Sequence, residues 1–385
     1  MDMSAVRGIA LDRRVRVAVD VMGSDHGPEE VIPGALSYAT SHPLDDLVLV
    51  GDEKRIRTIA GELPSNVTIV HASQVVEMHE QPAMALREKK DASIMVAVDL
   101  VKRGAVDGMV TAGHTGAGMA AAVLRLGRLP GVDRPALALQ LSTDQGPFVL
   151  LDIGANPGAT AENLYQYAYM GSIFARRVLG IERPRVALLS IGEEKGKGDA
   201  RIQKATELLD QSDLEFIGNV EGRDIPKRLA DVVVCDAVVG NVTMKLIEGL
   251  SGYIFGKLKA EFKRPPWGPI AYLLMKPGIQ RLRGAFDYER YGSSPLLGCR
   301  GTVLITHGSA KRRMIYYAVE VAAAAVRAEI TEAIGETFRR PDILETGAAG
   351  AELRLPAAAA AAAVSAAAAA AQAENDVVGV DDARV

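Results

Sequence analysis

The chain has 385 residues, of which 24% are charged, and a formal net charge of −4. That length can bury a substantial core as one large α/β domain or two smaller ones, and the charge balance gives no overall bias toward nucleic acid. Two cysteines, Cys235 and Cys299, are too few for a disulfide framework and lack metal-ligand spacing, which fits a reducing compartment. No signal-peptide pattern opens the chain, and no uninterrupted apolar run reaches the roughly 20 residues of a membrane span, so a soluble, cytoplasmic protein is expected.

In chain order, a short apolar run, a glycine-rich loop and a helical segment recur. Val15–Val21 leads into Met22-Gly-Ser-Asp-His-Gly-Pro28 and a helix opening near Glu29. Asp107–Thr111 leads into Ala112-Gly-His-Thr-Gly-Ala-Gly118 and an Ala/Leu-rich helix. Phe148–Asp152 is followed by Ile153-Gly-Ala-Asn-Pro157 and a helix around Asn163–Arg177. Arg185–Ser190 is followed by Gly192-Glu-Glu-Lys-Gly-Lys-Gly-Asp199 and a helix through Lys204–Leu209, and Val232–Cys235 by Asp236-Ala-Val-Val-Gly-Asn241 and a helix through Lys245–Leu250. Apolar runs without alternation suit strands buried on both faces, and strands alternating with helices predict a Rossmann-like, mostly parallel sheet flanked by helices. All five loops are then expected at one carboxyl edge, where open α/β sheets bind ligands.

Residues from about 251 to 291 depart from this pattern. They read as a helical protrusion broken at its tip by Pro265, Pro266, Pro269 and Pro277. Within it, Trp267, Leu273 and Leu274 lie among Lys263, Arg264, Lys276 and Arg281, a mixture suited to transient contact with an anionic membrane surface. Packing in a dimer interface, or docking of an acidic carrier protein, are the competing readings. The domain is expected to span residues 15–345, after an N-terminal extension of residues 1–14. The Ala-rich tail of residues 346–385 lacks core-forming side chains and is excluded from the fold.

A phosphate cradle needs glycines that let backbone N–H groups approach, and a helix N-terminus that favours negative charge. Ala112–Gly118 offers both, with Gly113, His114, Thr115 and Gly116 as candidate contacts. Gly116-Ala-Gly-Met-Ala-Ala121 also matches a dinucleotide fingerprint, but Asp133 is badly placed for a ribose, so anion binding is the preferred reading. In the first loop, Asp20, Gly23, Asp25, His26 and Gly27 are candidates. Asp25 reads equally as a helix cap, and His26 as a loop donor.

Lys197, flanked by glycines, is the candidate catalytic residue in preference to Lys195, as a point charge for phosphate or a developing oxyanion. Asp152, Asn156, Glu194, Asp199, Asn219, Gly240 and Asn241 complete the candidate substrate- and phosphate-binding set. For Asn241, placed at a helix start, capping competes with ligand contact. Glu221 and Arg223 share the polar loop with Asn219, and Cys235 reads as a small buried residue. The six histidines show no metal-binding spacing, and no metal or cofactor is expected.

Together these strings resemble the bacterial phosphate acyltransferases. The carriers are Asp20–Pro28, Gln81-Pro-Ala-Met-Ala-Leu-Arg-Glu-Lys-Lys90, Ala112–Ala117, Gly127-Arg-Leu-Pro-Gly-Val-Asp-Arg-Pro-Ala136, Gly192–Gly198, Ile217–Asp224, Val233–Asp236, Gly240–Val242 and Tyr291–Gly298, in the family's order. Ser24 and His114 stand where Gly and Asn are expected, Ser293-Ser294 replaces Gly-Ala, and Asp199 replaces Asn.

The resemblance implies a fold like that of phosphate acetyltransferases and isopropylmalate dehydrogenases, and a homodimer. It also implies transfer from acyl carrier protein thioester to inorganic phosphate. The acyl phosphate would pass to a membrane-bound glycerol-phosphate acyltransferase in phospholipid synthesis, with the enzyme at the inner face of the cell membrane. An acetyl-CoA-dependent enzyme and a silent anion-binding scaffold are the alternatives.

Overall fold

A computed structural model describes residues 13–285, 288–341 and 343. The Ala-rich segment of residues 346–385 and residues 1–12 of the N-terminal extension lie outside the described residues.

The first half contains β1 (Arg16–Asp20), α1 (Pro28–Ser41), β2 (Asp46–Gly51), α2 (Glu53–Ala60), β3 (Val67–His71), α3 (Pro82–Glu88), α4 (Ser93–Lys102), β4 (Gly108–Thr111) and α5 (Thr115–Arg125). The second half contains β5 (Ala136–Thr143), β6 (Gly146–Leu151), α6 (Ala161–Arg177), β7 (Arg185–Leu189), α7 (Ala200–Asp210), β8 (Glu215–Val220), β9 (Val232–Val234) and α8 (Ala237–Phe262). The chain continues through α9 (Trp267–Ala285) and α10 (Tyr288–Tyr291), then returns to the first half with β10 (Ser293–Leu297), β11 (Thr302–Thr306), α11 (Arg312–Arg327) and α12 (Ile330–Thr337).

The strands form one 11-stranded sheet in the order β3-β2-β1-β4-β11-β10-β5-β6-β9-β7-β8. The five expected strand–loop–helix units are all present. Val17, Ala18 and Val19 in β1, and Val232, Val233 and Val234 in β9, are buried because helices cover both faces. Helices α1 and α11 pack together over the first half, and α4 and α5 pair as well. Helix α6 is buried along nearly its whole length over the second half. Its start is fixed by a capping box in which Thr160 and Asn163 satisfy each other's backbone N–H groups.

One expectation is corrected. Strand β10 is antiparallel to both β11 and β5, and β5 is antiparallel to β6. Strands β6, β9 and β7 therefore run opposite to β1, β4 and β11. Each glycine loop does follow the carboxyl end of its strand, but the loops fall into two groups on opposed edges. The two halves are joined through the short antiparallel centre of the sheet. Leu137, whose carbonyl accepts from Ile153 N–H just past β6, is paired with Leu296 in a strand whose start, Ser293, faces Thr306.

The protrusion is helical and broken at Pro265-Pro266, but differs from expectation in its base and in two of its prolines. Helix α8 is continuous for 26 residues, so the projecting arm is an extension of the helix that starts beside the second loop group. Only Pro265 and Pro266 lie in the connector. Pro269 and Pro277 are inside α9, which runs through them. Proline early in a helix forfeits no intrahelical bond, and α9 tolerates the later one at Pro277.

Candidate functional site

The first group of loops gathers at the ends of β1, β4 and β11. Asp20 and Thr111 are paired across neighbouring strands, and Thr111 Oγ1 donates to Asp20 Oδ2 at 2.8 Å. Asp20 is buried, and burial pushes its carboxyl pKa up against the opposing hydrogen bonds from Ser93, Thr111, Met22 and Gly23. A Cβ on Gly23 would stand 2.9 Å from Gly113 Cα, so the two loops touch backbone to backbone.

His114 caps α5, its Nδ1 accepting from Gly116 N–H at 3.1 Å. Burial lowers its pKa, which favours the neutral ring, and the occupied Nδ1 leaves Nε2 to carry the proton. The N–H groups of Thr115 and Ala117 have no acceptor among the described residues. Ala117 is fully buried, so the N–H of exposed Thr115, with the helix dipole, is what this end offers an anion.

Asp25 is not the cap of α1. That position is Gly27, at φ +64°, with no side-chain cap, while Asp25 and His26 are exposed. Ser24 Oγ and Asp25 N–H both donate to Gly308 O, at 3.1 and 3.0 Å. The loop after β11 thus joins the site, with Ser309 Oγ 2.8 Å from His307 Nδ1. His307-Gly-Ser309 repeats the strand, glycine and helix signal between Thr302–Thr306 and Arg312, and adds a loop to the five expected from the sequence.

The second group lies at the ends of β6, β7 and β9. Asp152 is fully buried and its oxygens are already taken by Leu137, Gly154, Ala155 and Asn156 N–H groups and by Asn156 Nδ2. It shapes the loop from inside rather than facing solvent. Asn156 Nδ2 also donates to Pro135 O at 2.6 Å. Gly240 packs against Asp152 O so closely that no Cβ fits, which seats α8 on this loop. Asn241 is not at the start of its helix, because Asp236 is the cap, accepting from Val238 and Val239 N–H. Cys235 is buried and its thiol pKa is pushed well up by burial and by Asp152 and Asp236, so it is no nucleophile.

Asp199 caps α7 by accepting from Arg201 and Ile202 N–H, both at 3.0 Å. Lys195 Nζ is tied to Asp210 at 2.8 Å, away from the loop. Lys197 folds its stem over Gly192, and its ammonium has no ion partner among the described residues. Asn219 Nδ2 reaches Glu194 O at 3.5 Å, while Asn219 Oδ1 is buried without a partner, as is Ser190 Oγ at the root of the same loop. Ser293 Oγ, beside the first group, is a third such atom. Buried polar atoms are rarely left unsatisfied, so their gathering at these loops marks places for ligand or water.

Helix α8 links the two groups. It begins at Asp236 in the second, and Glu248 on it lies within electrostatic reach of His307 in the first. Burial pushes the Glu248 pKa up, against the influence of His307 and Lys245. No group of three or more potential metal ligands occurs among the described residues.

Residues 15–333 match the family model described as "Fatty acid synthesis protein". The chain is 46% identical over 329 residues to the phosphate acyltransferase of Desulfitobacterium hafniense (strain DSM 10664 / DCB-2), covering 85% of this chain and 98% of that one. It is 41% identical over 334 residues to the phosphate acyltransferase of Brevibacillus brevis, covering 86% of this chain and 100% of the relative. Among solved structures, a phosphotransacetylase from Streptococcus pyogenes superimposes with a TM-score of 0.56 at 20% identity, covering 84% and 97% of the two chains. A branched-chain phosphotransacylase from Enterococcus faecalis V583 gives 0.51 at 16%, covering 81% and 99%. At these identities the structural likeness speaks for the fold.

Proposed function

Because the chain belongs to the phosphate acyltransferase family, and is therefore an acyltransferase of lipid biosynthesis, we propose that it converts acyl carrier protein thioester and inorganic phosphate to acyl phosphate and free carrier. A phosphate oxygen attacks the thioester carbonyl, and the tetrahedral oxyanion collapses with loss of the carrier thiolate, which takes up a proton. Phosphate is already anionic near neutral pH, so the protein has to hold it against the carbonyl and stabilise the oxyanion.

The observation that carries this reading is the backbone contact of Gly23 and Gly113 at the open N-terminus of α5. Thr115 N–H and His114 Nε2–H are the proposed phosphate donors, with Gly116 allowing the approach. Lys197, in the second loop group, is the proposed contact for phosphate and for the oxyanion. Asp20, Asp152, Asn156, Asp199 and Gly240 hold these loops in shape, and Asn219 and Glu194 position the Lys197 turn. The test is incubation with long-chain acyl carrier protein and phosphate, trapping acyl phosphate as hydroxamate, with acetyl-CoA as the comparison donor. Hydroxamate from the carrier thioester supports the proposal. Turnover of acetyl-CoA alone would redirect it, and binding of phosphate without turnover would leave only a scaffold.

The α8–α9 arm carries the proposed partners. Val239, Val242, Leu246 and Leu250 are exposed along one stripe of α8, a spacing that suits packing against a second copy. Trp267, Leu273 and Leu274, at 74%, 72% and 77% exposure, are nearer the tip with Lys263 and Arg264. No helix among the described residues is long and apolar enough to cross a membrane. Shallow contact by the tip with an anionic surface would bring acyl phosphate to a membrane-bound glycerol-phosphate acyltransferase.

A further inference from the structure

Nothing in the sequence pattern singles out Arg201, yet its guanidinium joins three parts of the second loop group. One terminal nitrogen donates to Asp199 Oδ2 at 2.7 Å and to Asp236 Oδ2 at 3.1 Å, and the other to Ala159 O at 3.2 Å. Nε adds a second bond to Asp199 Oδ2 at 3.0 Å. Asp199 and Asp236 are the caps of α7 and α8, each already accepting two backbone N–H groups. One side chain therefore ties together the loop bearing Lys197, the base of α8 and the segment leading into α6.

The charges explain why such a clamp is needed. Asp199 places a carboxylate two residues from Lys197. Asp236 brings a second. Lys197 and Arg201 balance these two acids; without Arg201 the remaining three groups would be left net negative around Lys197, the proposed contact for phosphate and oxyanion. Asn would cap α7 as well as Asp does, so the extra charge is not required for helix initiation.

We propose that Arg201 is a positioning residue for phosphate: it clamps the capping carboxylates of α7 and α8 and offsets their charge, so that the edge bearing Lys197 does not repel the incoming anion. This rests on the acyl-transfer reading above. A planar fork suits the task, since a lysine cannot serve two carboxylates and a carbonyl in fixed geometry.

Steady-state kinetics with acyl carrier protein thioester and phosphate test it. Arg201→Ala should raise the phosphate KM about fivefold at low salt, less at high salt, with the acyl-donor KM changed less than about twofold. Adding Asp199→Asn to Arg201→Ala should return the phosphate KM to within about twofold of wild type, because the charge goes while the cap stays. Asp199→Asn alone should lower the phosphate KM. An unchanged phosphate KM in Arg201→Ala, or no recovery in the double variant, would overturn the assignment. If Arg201→Ala does not fold, the single Asp199→Asn variant decides by the sign of its effect. A wild-type enzyme that makes no acyl phosphate would instead refute the underlying reaction.

Discussion

Gly23 and Gly113 come so close that a side chain on the first would press on the α-carbon of the second at 2.9 Å. The same Cβ would stand 3.3 Å from Asp20 Oδ2, the buried carboxylate beneath both loops. Two segments far apart in sequence thus share one surface at the α5 N-terminus, and Gly23 has no room for even a methyl group.

Gly23→Ala should therefore separate the loops and lower turnover at least about tenfold, while costing only about 1–2 kcal/mol of stability because the overlap is local. Activity measured beside a thermal melt checks this. Near-normal turnover would show that the contact does not shape the site.

Lys197 and Lys195 sit two residues apart but in different circumstances. Lys197→Ala should lower turnover at least about tenfold with the fold intact, whereas Lys195→Ala, which breaks an exposed ion pair to Asp210, should stay near wild type. Equal losses in both variants would remove Lys197 from its proposed role.

Glu30 holds α1 to the start of α11, receiving Arg312 N–H at 2.9 Å and its guanidinium at 2.6 Å. The pairing with Arg312 lowers the Glu30 pKa from its ordinary value to about 2. A depressed carboxylate stabilises the fold above its unfolded pKa, and that contribution disappears as pH falls through the folded value. Glu30→Gln should accordingly cost about 1 kcal/mol at pH 7, with the difference from wild type shrinking between about pH 4.5 and 2. Urea denaturation across that range measures it, and a constant difference would contradict the ion-pair account.

At the arm, Trp267→Ser/Leu273→Ser/Leu274→Ser should abolish sedimentation with anionic liposomes while leaving the protein dimeric and active on carrier thioester. Sedimentation like wild type would exclude the tip as the anchor. A monomeric variant would assign those residues to the subunit interface.

The five strands with continuous apolar runs were legible because burial on both faces leaves a local mark, as at Val15–Val21 and Val232–Cys235. The reversal of the second half was not, since it depends on Leu296 and Leu297 pairing with Leu137 and Ala136, far apart in the chain. The Lys197 loop was readable from its glycines, but its charge balance was not. Arg201 looks like any arginine on a charged surface until folding brings Asp236 within 3.1 Å. Asp199 and Asp236 carried a readable signal as acidic residues immediately before helices, and both are caps.

Helix α8 has a consequence beyond packing. Its 26 residues form a strut about 39 Å long with no joint between Asp236 and Phe262. Whatever receives the far end consequently sets both the height and the compass bearing of the near end, where Gly240 is keyed into the Asp152 loop. Length and phase become separate design variables. Inserting a whole turn would raise the loops by about 5 Å with little change of bearing, while inserting two residues would swivel the tip through about 200° and turn its apolar side away from the receiving surface.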